Sequence, residues 1–227
     1  MKELLKKDIL LQWRQGFWLV YFIVSIIYVV VLLNIPQETR MMVSLVMILS
    51  DTTMLGVIFI GALILLEKQQ MVTHSLFVTP LTPIRYIWSK TLSLSLIAIS
   101  MSVLIYLPVW NVSGYTLVVF FTTAFTAGVF AMLGLGVAAG VETINHYFGR
   151  LIASSVLILI PVIPYLLLDQ HPAFLWLPYV ASLDIMLGVM DPLPVWRIVL
   201  DILLLMGWGV IALYYCRGQV NKHLVFK

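Results

Sequence analysis

The chain has 227 residues, of which 62% are hydrophobic and 10% charged, and its formal net charge at pH 7 is +3. Soluble domains carry about 45–50% apolar and about 25% charged residues, so this composition excludes a water-soluble globular fold and a disordered chain. A spanning helix needs about 20 apolar residues, so the length accommodates six such helices and leaves no room for a soluble catalytic domain.

Six apolar runs predict an all-α, polytopic membrane protein that forms a single transmembrane domain over residues 1–227. The predicted spans cover residues 17–35, 42–66, 91–109, 116–141, 151–168 and 197–216. Of the 13 Lys and Arg residues, all but Arg40 and Arg197 lie on the same side of these spans. Because Lys and Arg are enriched in cytoplasmic loops, we expect the cytoplasmic membrane as the location, with both termini in the cytoplasm.

Two segments outside the spans are also predicted to be helical. Residues 1–16 place Leu5, Ile9 and Trp13 on one stripe, which favours a helix at the interface with anionic lipid. The alternative is a solvated extension of the first span. Residues 169–196 are long, apolar and broken by Pro178, which indicates two short helices that re-enter the outer leaflet; the alternative is a folded outer cap.

Within the spans, Asp51 is the most deeply placed acid. With Thr52 beside it, Asp51 is a candidate for contact with a substrate; the alternative is a structural acid paired with another helix. Asp201 is expected to form a local ion pair with Arg197, four residues earlier. Gly136 and Gly140 form a GxxxG motif that indicates close helix packing, either within one chain or across a dimer.

The sequence offers no means of bond chemistry. It contains no Walker-type phosphate loop, and its single cysteine and the spacing of its histidines indicate no metal site. We therefore expect a chain that is not an enzyme, binds no metal or cofactor of its own and does not bind nucleic acid.

The first inner loop, 67–90, contains a short segment from Met71 to Val78 that Pro80 and Pro83 terminate. It is predicted to be a two-turn helix that docks a cytosolic partner; the alternative is a helix that rests on lipid headgroups. The loop resembles the first inner loop of ABC-2-type permeases, the membrane subunits of a large group of ABC exporters. The resemblance rests on Glu67, on the run Val78-Thr79-Pro80-Leu81-Thr82, and on Tyr86 and Lys90.

The sequence departs from the family pattern at Met71 and Val72, where Gly and Thr are usual, and at His74, which replaces a frequent Glu. The second inner loop, Glu142-Thr143-Ile144-Asn145-His146-Tyr147, is similar to that of a compact six-helix subgroup of fluoroquinolone-export permeases.

This resemblance implies a dimer, either of this chain or with a related permease, that forms the export pathway in membrane lipid. Separate ATPase subunits, which would bind ATP and Mg²⁺, would dock on loops 67–90 and 142–150. The implied coupling residues of the first loop are Glu67, Met71, His74, Ser75, Leu76, Phe77, Thr79 and Pro80. Those of the second loop are Glu142, Asn145 and His146.

Two other function classes remain alternatives. An ion-coupled secondary transporter would favour ionisable residues near the membrane midplane and internal repeats. A membrane-embedded lipid-processing enzyme would need a cluster of His, Asp, Glu, Ser or Cys at one depth. Asp51 and Asp201 are the only acids in the predicted spans, which contain no His or Lys.

Overall fold

The computed structural model describes residues 2–72, 76, 81–110, 116–159, 165, 174, 176–188, 190 and 193–225, with the backbone alone for 153–159. In this part of the chain the regular secondary structure is entirely helical. The helices are α1 (Lys2–Arg14), α2 (Phe17–Leu33), α3 (Gln37–Met54), α4 (Ile60–Gln69), α5 (Pro83–Val109), α6 (Thr116–Ala139), α7 (Ile144–Leu159), α8 (Pro178–Leu187) and α9 (Val195–Val220).

The all-α fold is confirmed, and several of its helices fit a membrane-embedded protein. Four continuous helices are long and apolar enough to cross a membrane: Gln37–Gln69, Pro83–Val109, Thr116–Ala139 and Val195–Val225. The pair α1 and α2, taken as one bent span, makes a fifth among the described residues. Of the predicted fifth span, 151–168, residues 151–159 are the second half of α7, whereas 160–164 and 166–168 lie outside the described residues, so the count of six stays a prediction.

A π-helical segment, Leu55–Phe59, joins α3 to α4 within one long span. A second π-helical segment, Asn221–Val225, continues α9. Helix α6 is central, since it contacts α3, α4, α5, α8 and α9. Its glycines permit this, because a Cβ on Gly134 would lie 2.6 Å from Cγ2 of Ile60. A Cβ on Gly136 would lie 2.6 Å from the Tyr215 ring, so the GxxxG motif packs α6 on α9 within one chain.

The amino-terminal helix is bent away from α2 by 63°. Gly16 lies at the bend with φ of 77°, in the left-handed region that glycine adopts without steric cost. The bend separates α1 from the axis of α2, so α1 is not a straight extension of the first span.

The region before α9 contains one short helix in its described part. Helix α8 begins at Pro178, a favourable first position for a helix, and its ten residues are too few to cross a membrane. It is almost entirely buried and contacts α3, α6, α7 and α9. It corresponds to the second of the two predicted short helices; the first falls mostly outside the described residues.

Candidate functional site

The ends of several helices meet at the α1 end of the bundle, where the loops after α4 and α6 also lie. Helix α4 extends through Glu67 to Gln69, and α5 begins at Pro83, eight residues before the predicted start of the third span. The connection between them is therefore shorter than the predicted loop 67–90, and Glu67 and Lys90 lie in helices.

A buried charge cluster joins three helices at this end. The ammonium of Lys90 on α5 donates to Glu67 on α4, and it lies 2.6 Å from Oδ1 of Asp8 on α1. All three side chains are nearly inaccessible, with 1% of Lys90 exposed, 5% of Glu67 and 6% of Asp8. We call Asp8, Glu67 and Lys90 the charge cluster.

Neutral donors complete the charge cluster. Tyr86 Oη donates to Glu67 Oε2 at 2.8 Å, and Ser89 Oγ donates to Asp8 Oδ2 at 2.5 Å. These bonds stabilise the second negative charge, because one ammonium faces two carboxylates. A buried charge without such partners would be costly, so the cluster holds α1, α4 and α5 in one arrangement.

Helix α1 packs against α5 through its polar face. Asp8 and Gln12 are buried, whereas Trp13 on the predicted apolar stripe is 66% exposed. Gln12 Nε2 donates to Ser93 Oγ of α5 at 2.8 Å. The helix predicted for residues 1–16 is therefore present at Lys2–Arg14, and its position at a membrane interface stays a prediction.

Lys68, the residue after Glu67, reaches the end of α6. Its Nζ donates to the carbonyl oxygens of Ala138, Ala139 and Val141 at 3.1, 2.7 and 2.8 Å. The last carbonyls of a helix have no partner within the helix and carry partial negative charge, so a lysine there is stabilising. The last turn of α4 thus connects the start of the second inner loop with the charge cluster.

The second inner loop is also anchored in the core. Thr143 precedes α7, and one turn later Tyr147 is 1% exposed. The Tyr147 hydroxyl donates to the carbonyl of Val57 in the π-helical segment. A Cβ on Gly61 would lie 2.0 Å from the Tyr147 ring, so only glycine leaves space for it. By contrast, the predicted coupling residues Glu142, Asn145 and His146 are exposed.

The predicted coupling residues of the first loop are only partly described. Met71 is 64% exposed and has φ of 57°, the one non-glycine residue with positive φ in the described part of the chain. Leu76 is helical and packs against the core cluster that includes Tyr86 and Tyr147. The predictions for His74, Ser75, Phe77, Thr79 and Pro80 fall outside the described residues.

The pathway candidates lie in the long span Gln37–Gln69. Asp51 is half-buried. Thr52 is 3% exposed, and its hydroxyl donates to the Ile48 carbonyl at 2.7 Å. The π-helical segment begins four residues after Asp51, an irregularity that is frequent at functional sites.

One local prediction is wrong. Arg197 does not pair with Asp201 but with Asp184 of α8, with 2.6 Å between Nε and Oδ2. The spacing of four residues favoured the local pair, yet α8 brings a closer carboxylate against α9.

Sequence reasoning missed Asp8, Gln12, Lys68 and Tyr147 as contact residues. A carboxylate and an amide on the same face of an otherwise basic amphipathic helix were a usable signal for Asp8 and Gln12. The described residues contain no group of three or more His, Cys, Asp or Glu side chains able to hold a metal ion.

Comparisons with known proteins add no family assignment. No family model matches the chain, and no curated protein is significantly similar to it.

Proposed function

We propose that the chain is the transmembrane permease subunit of an ATP-driven exporter of the ABC-2 type. Two copies, or this chain and a related permease, form the pathway in the cytoplasmic membrane. Separate ATPase subunits dock on the inner loops after α4 and α6. The chain contributes no bond chemistry, and its lipophilic spans favour lipophilic substrates.

The observation that supports this proposal most is the connection made by Glu67 and Lys68. Glu67 belongs to the charge cluster with α1 and α5, and Lys68 binds the last carbonyls of α6. A force on either inner loop therefore reaches the same turn of α4. A permease driven by separate ATPase subunits on its cytoplasmic side needs a stiff connection of this kind between its inner loops.

In the proposed cycle, ATP binding closes the two ATPase subunits and displaces the inner loops. Helices α4, α5 and α6 move with them because the charge cluster and Lys68 link their ends. The pathway then opens outward. Such coupling requires that nucleotide or substrate binds the two conformations with different affinity.

Site-specific crosslinking to a co-expressed ATPase tests the docking surface. Cys216 is the only cysteine and is fully buried, so introduced cysteines react without background. Met71→Cys and Asn145→Cys should crosslink to the ATPase, since both positions are exposed at the α1 end. Glu38→Cys, exposed at the first turn of α3 at the opposite end, is the matched control and should not crosslink.

Transport assays separate this proposal from the alternatives. In proteoliposomes, transport should require the ATPase and ATP, and charged substitutions at Leu76 and Phe77 should uncouple hydrolysis from transport. Transport driven by an ion gradient alone, without any associated ATPase, would establish the secondary transporter instead. Turnover of a lipid substrate by the purified chain would establish the enzyme.

A further inference from the structure

A second buried polar cluster lies at the opposite end of the bundle, where α8 packs on α9. Asp184 of α8 is fully buried. Arg197 of α9 binds it with two nitrogens, Nε at 2.6 Å from Oδ2 and Nη2 at 3.0 Å from Oδ1. The hydroxyl of Tyr165 also donates to Asp184. The charge of Asp184 is therefore balanced by one guanidinium.

The second acid at this end, Asp201, lies one helical turn after Arg197. The residue is fully buried, and in the described part of the chain no donor reaches either of its carboxyl oxygens. The nearest guanidinium, that of Arg197, is engaged with Asp184. A second negative charge at this position would be buried without a salt-bridge partner of its own among the described residues, an unfavourable arrangement in a protein.

The groups around Asp201 define what it can bind. Among the described residues its charged neighbours are Asp184 and Arg197, and Tyr165 bonds to both of them. Helix α6, which also packs on α9, carries no titratable side chain between Thr116 and Ala139. The guanidinium would repel a metal cation, whereas a proton neutralises the carboxylate without needing further ligands.

We propose that Asp201 is a proton-binding site whose proton lies toward the carboxylate of Asp184. Two carboxylates that share a site cannot both remain charged at low cost, and the described salt bridge of Arg197 is to Asp184. The O–H of Asp201 donates to an oxygen of Asp184, and the second oxygen of Asp201 is an uncharged carbonyl. Loss of the proton would place two negative charges between α8 and α9. This site does not depend on the exporter proposal.

Infrared spectroscopy of the purified full-length protein tests the site directly. At neutral pH, the wild-type protein should show the C=O stretching band of a protonated carboxylic acid, and D₂O should shift that band. Asp201→Asn should remove it from the difference spectrum. Glu38→Gln, which changes an exposed acid at the same end, should leave it unchanged. An unchanged band in Asp201→Asn would overturn the proposal.

Two further measurements keep the proposal falsifiable if Asp201→Asn does not fold. Asp201→Glu keeps the acid and should retain a band at a displaced frequency. Raising the pH of the wild-type protein should remove the band and lower Tm together, because ionisation leaves the second charge uncompensated. Loss of the band on addition of NaCl at constant pH would instead show that the site takes Na⁺, and would also overturn the proposal.

Discussion

The ammonium of Lys90 lies 2.6 Å from the carboxylate of Asp8, a residue 82 positions earlier in the chain. The contact crosses from the start of α5 to the middle of α1. Both partners are buried, and Glu67 binds the same ammonium from α4. Three helices are thus held together by one cation. We therefore expect loss of the Lys90 side chain to have the largest effect on the stability of the folded protein.

Lys90→Met should destabilise the protein by about 3–5 kcal/mol, because it leaves two buried carboxylates without their cation. Denaturant or thermal unfolding of the detergent-solubilised protein measures the change. Lys222→Met removes an exposed lysine near the end of the same bundle and should stay within about 0.5 kcal/mol of wild type. Equal effects of the two substitutions would contradict the role given to the charge cluster.

Asp8→Asn should loosen α1 from α5 while leaving the spans intact, since the ion pair to Lys90 is lost and the amide keeps the shape. Trypsin cleavage at Lys6, Lys7 or Arg14 should become several-fold faster, because cleavage requires local opening of α1. Glu3→Gln alters an exposed acid on the same helix and serves as control. Identical cleavage rates for both variants would show that the ion pair does not hold α1.

Met71→Gly should stabilise the protein by up to about 1 kcal/mol. At φ of 57° a methionine is strained and a glycine is not, although glycine also raises the entropy of the unfolded chain. Gln69→Gly, at the exposed last residue of α4, should instead cost up to about 1 kcal/mol. Thermal unfolding measures both variants, and a higher Tm for Met71→Gly with a lower Tm for Gln69→Gly would support the positive φ at Met71. A lower Tm for both variants would contradict it.

Gly61→Ala should cost about 1–3 kcal/mol, because the added methyl group overlaps the buried Tyr147 ring. In a double-mutant cycle, Gly61→Ala combined with Tyr147→Ala should destabilise by less than the sum of the single changes. Gly207→Ala lies in α9 with nothing within 4 Å of its Cβ and should not destabilise. Strict additivity would mean that Tyr147 does not fill the space at Gly61.

A cysteine at Asn145 should react with a membrane-impermeant maleimide only after cells are lysed, and one at Glu38 should react in intact cells. Both positions are exposed, and they lie at opposite ends of the bundle. The distribution of Lys and Arg predicts this orientation. The reverse labelling pattern would invert the topology and remove the docking surface from the cytoplasm.

Hydrophobicity predicted most of the helical architecture, because a long run of apolar residues indicates a segment that lies in lipid and not in water. The predicted spans 42–66, 116–141 and 197–216 each correspond to a helix long and apolar enough to cross a membrane. Boundaries were less predictable: Arg85 and Lys90 resemble loop residues in composition, yet α5 begins at Pro83 and buries Lys90.

The contacts of the candidate site could not be predicted from a single sequence. Glu67 and Lys90 were selected through the family resemblance, but nothing in local spacing pairs either of them with Asp8. Likewise, the four-residue spacing of Arg197 and Asp201 favoured a local ion pair, whereas α8 supplied Asp184. Periodicity reports which face of a helix is apolar, and it carries no information on which distant helix meets a polar face.

The polar face of α1 also sets an order of assembly. Asp8 and Gln12 bind Lys90, Ser89 and Ser93, so α1 has no complete partner until the chain has been synthesised past Ser93. The first helix to be made must therefore wait for the start of α5 before it can dock. A substitution in α5 that delays the docking of α1 would leave the amino-terminal helix accessible to proteases during biogenesis, even where the folded protein is stable.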